Sequence, residues 1–273
     1  MTSSDQISAH QILVFDSGVG GLSISAAIRA RLPEARQSYL ADDAFRPYGD
    51  KTEEALNYRI PSLLAPLCDV LDPDLVVVAC NTASTTALPA IRAALNVPVV
   101  GVVPAIKPAA AQSQLCRIGV LGTPGTVRRA YVGDLIERHA KDCEVLLQGS
   151  VTLVEQAERK LRGETVEAAV LREATRPLFE GDPIDVVVLA CTHFPLLGEE
   201  LANTAPYPVT WIDSGDAVAR RVESLLSEVP KRPQSERPEE VAYLTGPDSD
   251  PQRRQAFQDY GFPKIMPLPS TEL

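Results

Sequence analysis

Short apolar runs and helix-forming segments alternate along almost the whole chain, and this alternation restricts the fold more than any other feature. QILVFD (11–16), SYLADD (38–43), LVVVAC (75–80), PVVGVV (98–103), RIGVLG (117–122), CEVLLQG (143–149), DVVVLAC (185–191), VTWID (209–213) and EVAYLTG (240–246) are rich in Val, Ile and Leu. Continuous apolar runs bounded by turn residues read as strands buried in a parallel sheet. Between them lie segments such as LSISAAIRARL, TEEALNYRIPSLLAPLCDVL, ASTTALPAIRAAL and DAVARRVESLLSEV. Regular strand–helix alternation means βαβ units, hence α/β architecture with helices on both faces of each sheet. So many strands exceed one compact unit, and 273 residues suit one large domain or two smaller ones. Two α/β lobes are expected.

Two of the runs end alike. VVVACNTAS (76–84) and VVVLACTHF (186–194) each follow a turn containing Asp-Pro, finish in Ala-Cys and then become polar. In parallel α/β sheets, ligands sit beyond the carboxyl ends of the strands. Cys80 and Cys191 are both there, as is Asp16 at the end of the first run. A free cysteine is often only a small buried hydrophobe, and Cys68, Cys116 and Cys143 fit that reading. Cys80 and Cys191 differ because each precedes hydrogen-bonding residues that open a helix or turn. A thiol at a helix N-terminus is expected to have a lowered pKa. His193 lies two residues from Cys191 and is suited to orient it or exchange a proton with it. Asp16 is suited to the same task beside Cys80.

Glycines carry two further motifs. In FDSGVGGLS, Gly18, Gly20 and Gly21 do not fit the dinucleotide pattern G-x-G-x-x-G, and what remains is a strand, a Gly turn and a helix start. Such a turn lets the backbone approach a ligand. DDAFRPYGDKT (42–52) is a polar loop in which Gly49 is expected to present its backbone to a ligand.

Composition excludes several classes. The formal net charge of -10 disfavours nucleic acid as a general partner. It also requires an anionic small substrate to be held by local N–H groups, hydroxyls and amides. The five cysteines are odd in number and widely spaced, with no C-x-x-C, so neither a disulfide framework nor a structural zinc site is supported. The chain has no apolar run of membrane-spanning length. The N-terminal MTSSDQISAHQ lacks the basic start and apolar stretch of an export signal, so the cytoplasm is the expected location. Pro230 to Glu240 reads as a solvated linker and the final IMPLPSTEL as a loosely held end.

Taken in order, FDSGVGGLS, the PYG loop, ACNTAS, VVGVVPAIKPA, LGTPGTVRRAYV, LVEQAERKL, ACTHFPLL and the IDSG near residue 213 resemble the glutamate racemase family. The likeness runs from about Ile12 to about Leu226, and YLTGPDSDPQRRQAF resembles that family's closing strand and helix. It implies a racemase of L- and D-glutamate that uses no cofactor, neither pyridoxal phosphate nor metal, and that supplies D-glutamate for peptidoglycan precursors. It implies two pseudo-symmetric lobes with the substrate in the cleft between them: residues 1–98 plus 208–273 in the first, 99–207 in the second. Cys80 and Cys191 would then face each other, one thiolate abstracting the Cα proton while the other thiol delivers its replacement. The resemblance assigns assisting roles to Asp16, His193 and Glu155. It assigns substrate contacts to Asp16, Ser17, Tyr48, Gly49, Asn81, Thr82, Thr192 and His193. The first cysteine is matched to D-glutamate and the second to L-glutamate. VVPAIKPAA stands where many members have Glu-Pro at its third and fourth positions. This variant resembles the enterobacterial type, which the precursor UDP-N-acetylmuramoyl-alanine activates. A monomer or homodimer is expected. The rival readings are an aspartate racemase and a non-catalytic two-lobed amino-acid-binding protein.

Overall fold

A computed structural model describes residues 8–233, 239–247 and 250–268. Twelve strands are present among them. In chain order they are β1 (Ser8–Ala9), β2 (Gln11–Asp16), β3 (Arg36–Ala41), β4 (Leu75–Val78), β5 (Val99–Gly101), β6 (Arg117–Gly122), β7 (Glu144–Gly149), β8 (Val186–Ala190), β9 (Thr210–Ile212), β10 (Arg232–Pro233), β11 (Val241–Leu244) and β12 (Lys264–Pro267). The helices are α1 (Leu22–Arg31), α2 (Glu53–Leu71), α3 (Asn81–Ala94), α4 (Ile106–Gln112), α5 (Pro124–Val127), α6 (Ala130–His139), α7 (Thr152–Leu161), α8 (Ala168–Thr175), α9 (Gly198–Thr204), α10 (Gly215–Leu226) and α11 (Pro251–Asp259).

The strands form two parallel sheets, as the alternation required. The first has the order β12-β11-β3-β2-β4-β5 and the second β7-β6-β8-β9. β1 and β10 make a small antiparallel pair apart from both. The most apolar runs, LVVV of β4 and VVVLA of β8, are wholly buried and occupy interior positions of their sheets. The edge strand β7 has only exposed and half-buried residues. Each sheet is covered on two faces, and each face has its own apolar core.

The chain passes between the sheets later than the expected boundaries at 98/99 and 207/208. β5 hydrogen-bonds β4 and so completes the first sheet, while β9 hydrogen-bonds β8 and completes the second. After β5, Ala105 and Ile106 already belong to the core of the second sheet. After β9, α10 returns to the first core through Val218, Ala219 and Val222. The two crossing segments touch where Ser214 Oγ donates to Val103 O at 2.6 Å.

The C-terminal region differs from the sequence expectation. Ile265 to Pro267, read as part of a loose end, lie in β12 and pair with β11, and Leu268 N bonds Leu244 O at 2.6 Å. An edge strand with a proline and mostly exposed side chains lacks the apolar signature of the other strands. Of the segment read as a linker, residues 234–238 lie outside the described residues, as do 269–273.

Candidate active site

Cys80 follows β4 and is the N-cap of α3, its sulfur accepting the Ala83 N–H at 3.5 Å. Ser17 Oγ lies 3.5 Å from the same sulfur. Cys191 follows β8, and its sulfur is 3.9 Å from His193 Nδ1. Both cysteines are buried, and both line one cavity of about 380 Å³ between the two sheets. That volume suits a small-molecule ligand. The walls come from corresponding places in both units: the turns after β2, β3 and β4 on one side, and those after β6 and β8 with α7 on the other.

The Gly turn after β2 has a steric reason. A Cβ on Gly20 would lie 2.3 Å from His193 Nδ1 and 2.8 Å from Thr192 Oγ1. A Cβ on Gly21 would meet the Tyr39 hydroxyl at 2.6 Å and Asp16 Cβ at 2.8 Å. Gly20 therefore admits the Cys191-Thr192-His193 turn from across the cleft, while Gly21 lets the turn pack on Tyr39 and Asp16 of its own unit. Ser23 Oγ completes the junction by donating to Thr192 O at 2.8 Å. Opposite, Thr82 Oγ1 and Thr126 Oγ1 are 3.3 Å apart.

Most of the sequence-predicted residues are brought together. Ser17, Tyr48, Gly49, Asn81, Thr82, Thr192 and His193 line the cavity with the two cysteines. Asn81 Oδ1 is buried without a hydrogen-bond partner, an acceptor left open. Tyr48 contributes its ring, because its hydroxyl donates to Asp42 Oδ2 at 2.7 Å. Asp16 lies just behind the wall, with Oδ2 accepting the Gly18 N–H at 2.9 Å and Oδ1 buried without a partner. Burial raises the Asp16 carboxyl, an effect that His193 and nearby N–H groups only partly offset.

Glu155 is exposed on α7 and is not among the residues that line the cavity. Glu158, one turn further along, lines it, with Oε1 3.6 Å from His193 Nε2. This is an ion-pair distance, too long for a direct hydrogen bond. Arg46 Nη1 donates to the same Oε1 from the segment after β3. Burial favours protonation of Glu158, but His193 and Arg46 outweigh it and hold the carboxyl below its usual range. Sequence reasoning passed over Glu158, although Val151, Val154 and Glu158 are spaced for one helix face and all line the cavity.

Cys80 does not have the lowered pKa expected of a helix N-terminus. Burial, with the Asp16 carboxylate next, pushes its thiol up to about 12 against the Ser17 and Ala83 hydrogen bonds. The pKa of His193, beside Cys191, is also raised. Burial would lower it, but Cys191, Glu158 and Asp16 raise it to about 10. Among the described residues, no group of three or more His, Cys, Asp or Glu is arranged to hold a metal ion.

Residues 22–222 match the family model for Asp/Glu/Hydantoin racemase. The chain belongs to this racemase family. Glutamate racemase of Brucella anthropi is 45% identical over 256 residues, covering 92% of this chain and 91% of that one. Glutamate racemase of Shewanella sp. strain MR-7 is 50% identical over 220 residues, 81% and 80% of the two chains. The crystal structure of Escherichia coli glutamate racemase with L-glutamate and the activator UDP-MurNAc-Ala matches with a TM-score of 0.90 and 42% identity, covering 95% of this chain and 98% of that one. The racemase fold is thus shared over nearly the whole length, including the two-sheet arrangement that forms the cavity.

Proposed function

We propose that this protein interconverts L- and D-glutamate without a cofactor, using Cys80 and Cys191 as opposed acid and base. One observation carries the reading: two strand-end cysteines, one from each unit, line the same small cavity. Removing a proton from one face of Cα and returning one to the other face needs two groups, unless the substrate turns over in the site. A thiolate takes the Cα proton as the C–H electron pair passes to the carbanion, and the opposite thiol then supplies the proton that forms the new C–H bond. Each turnover leaves the sulfurs with exchanged protonation.

The environments support an assignment of hands. Cys191 stands beside His193, whose raised pKa keeps its proton at neutral pH. Cys80 stays a thiol in the ligand-free protein. With Cys80 as the acid, Cys191 is the base that takes up L-glutamate, and D-glutamate is met by the reverse arrangement, as the family resemblance assigns. His193 positions and polarises Cys191, with Glu158 rather than Glu155 behind it, and Asp16 stands behind Ser17 and Cys80. Ser17, Tyr48, Gly49, Asn81, Thr82 and Thr192 offer hydroxyls, amides and backbone groups for the two carboxylates.

The wider role in this reading is supply of D-glutamate in the cytoplasm for peptidoglycan precursors, by a chain whose two lobes move to admit substrate. Activation by UDP-MurNAc-Ala is supported by the likeness to the Escherichia coli enzyme bound to it. The test is incubation with L-glutamate in D2O without pyridoxal phosphate. Loss of optical rotation with deuterium entering Cα is expected, and a stable rotation would overturn the reading.

A further inference from the structure

Arg46 is the one Lys or Arg side chain among the cavity-lining residues. It leaves the segment after β3, and a Cβ built on Gly18 would lie 4.0 Å from its Cδ. Its guanidinium then crosses the cleft to Glu158 Oε1 on α7. His193 Nε2 faces that same oxygen at 3.6 Å and is buried without a hydrogen-bond partner. One carboxylate oxygen is thus shared between a permanent cation of the first sheet's unit and a titratable ring of the second. Among the described residues, the other charges near Glu158 are Arg162, at 4.0 Å from Oε2, Arg253 of α11, and Asp250, which lines the same recess. Those facing His193 are Cys191 and Asp16.

We propose that Arg46 is a positioning residue: by gripping Glu158 across the closed cleft, it holds that carboxylate off His193 and so sets how firmly the His193–Cys191 pair keeps its proton. A carboxylate whose charge is shared with a guanidinium presents a weaker negative potential to a nearby imidazole. Glu158 and His193 belong to the same unit and stay neighbours whatever the cleft does. Arg46 belongs to the other unit, so its hold on Glu158 depends on closure. The functional meaning rests on the two-cysteine reading above, while the physical content concerns three side chains only.

The test is an NMR titration of the His193 ring in the full-length, substrate-free protein, its signals identified by their loss in His193→Gln. Arg46→Met keeps the length of the side chain and deletes the charge. The His193 midpoint is expected to rise by roughly half a pH unit or more, and Arg46→Lys to restore part of the shift. In a Glu158→Gln background, Arg46→Met is expected to add no rise. A midpoint unmoved or lowered by Arg46→Met, or raised equally in both backgrounds, would overturn the proposal. The titration needs no turnover, so it stands or falls separately from racemisation by the wild-type protein.

Discussion

Gly125 meets Gly49 across the cleft with no room for a side chain between them: a Cβ on Gly125 would lie 2.9 Å from Gly49 Cα and 3.1 Å from its carbonyl oxygen. The obstacle is backbone, which cannot swing aside. Gly125→Ala is therefore expected to prop the cleft open and lower kcat/KM by about tenfold or more, since small misplacements at a reacting centre cost that much. Gly133 in α6 gives the contrast, because a Cβ there meets nothing within 4 Å. Gly133→Ala should leave turnover unchanged and stabilise the protein by about 0.5–1 kcal/mol, read from thermal unfolding.

Replacing either sulfur should stop racemisation in both directions. L- and D-glutamate are mirror images with an equilibrium constant of one, so kcat/KM for the two must be equal in any variant and at any pH. A single substitution cannot spare one direction. Cys80→Ser and Cys191→Ser are each expected to lower kcat/KM by roughly 10²–10⁴-fold, measured by polarimetry from either enantiomer. Near-normal turnover by either variant would make that cysteine structural.

Glu158 and Glu155 offer a matched pair on one helix. Glu158→Gln removes the charge behind His193 and is expected to cost about tenfold or more in kcat, with the pH profile displaced. Glu155→Gln, on the exposed face, should behave as wild type. Equal losses in the two variants would point to α7 as a whole rather than to Glu158.

The raised pKa of His193 makes a prediction about stability. Its proton is held more tightly in the folded protein, at about 10 against an ordinary 6.5. The resulting stabilisation is complete below about 6.5 and is lost as pH rises through about 10. Unfolding temperatures should fall across that window more steeply in the wild type than in His193→Gln. Parallel curves for the two proteins would contradict the assignment.

Sequence pattern made the strand ends legible because a buried run that stops at a polar residue announces a sheet's carboxyl edge. Asp16, Cys80 and Cys191 were readable for that reason. The choice between Glu155 and Glu158 depends on how α7 is turned relative to the cleft, which the LVE string does not encode. The Cys80 thiol was misjudged because a helix N-terminus is a local feature, whereas the burial and the Asp16 charge that outweigh it come from tertiary packing. β12 escaped notice because an exposed edge strand carries little apolar signal.

The contact between Ser214 and Val103 has a topological consequence. The stretch from the end of β5 to the start of α10 leaves and re-enters the first unit at touching points, as a parenthesis does in a sentence. The residues on either side of it already form a contiguous six-stranded sheet around it. A chain laid out this way can be cut at that seam and its outer parts joined by a short bridge.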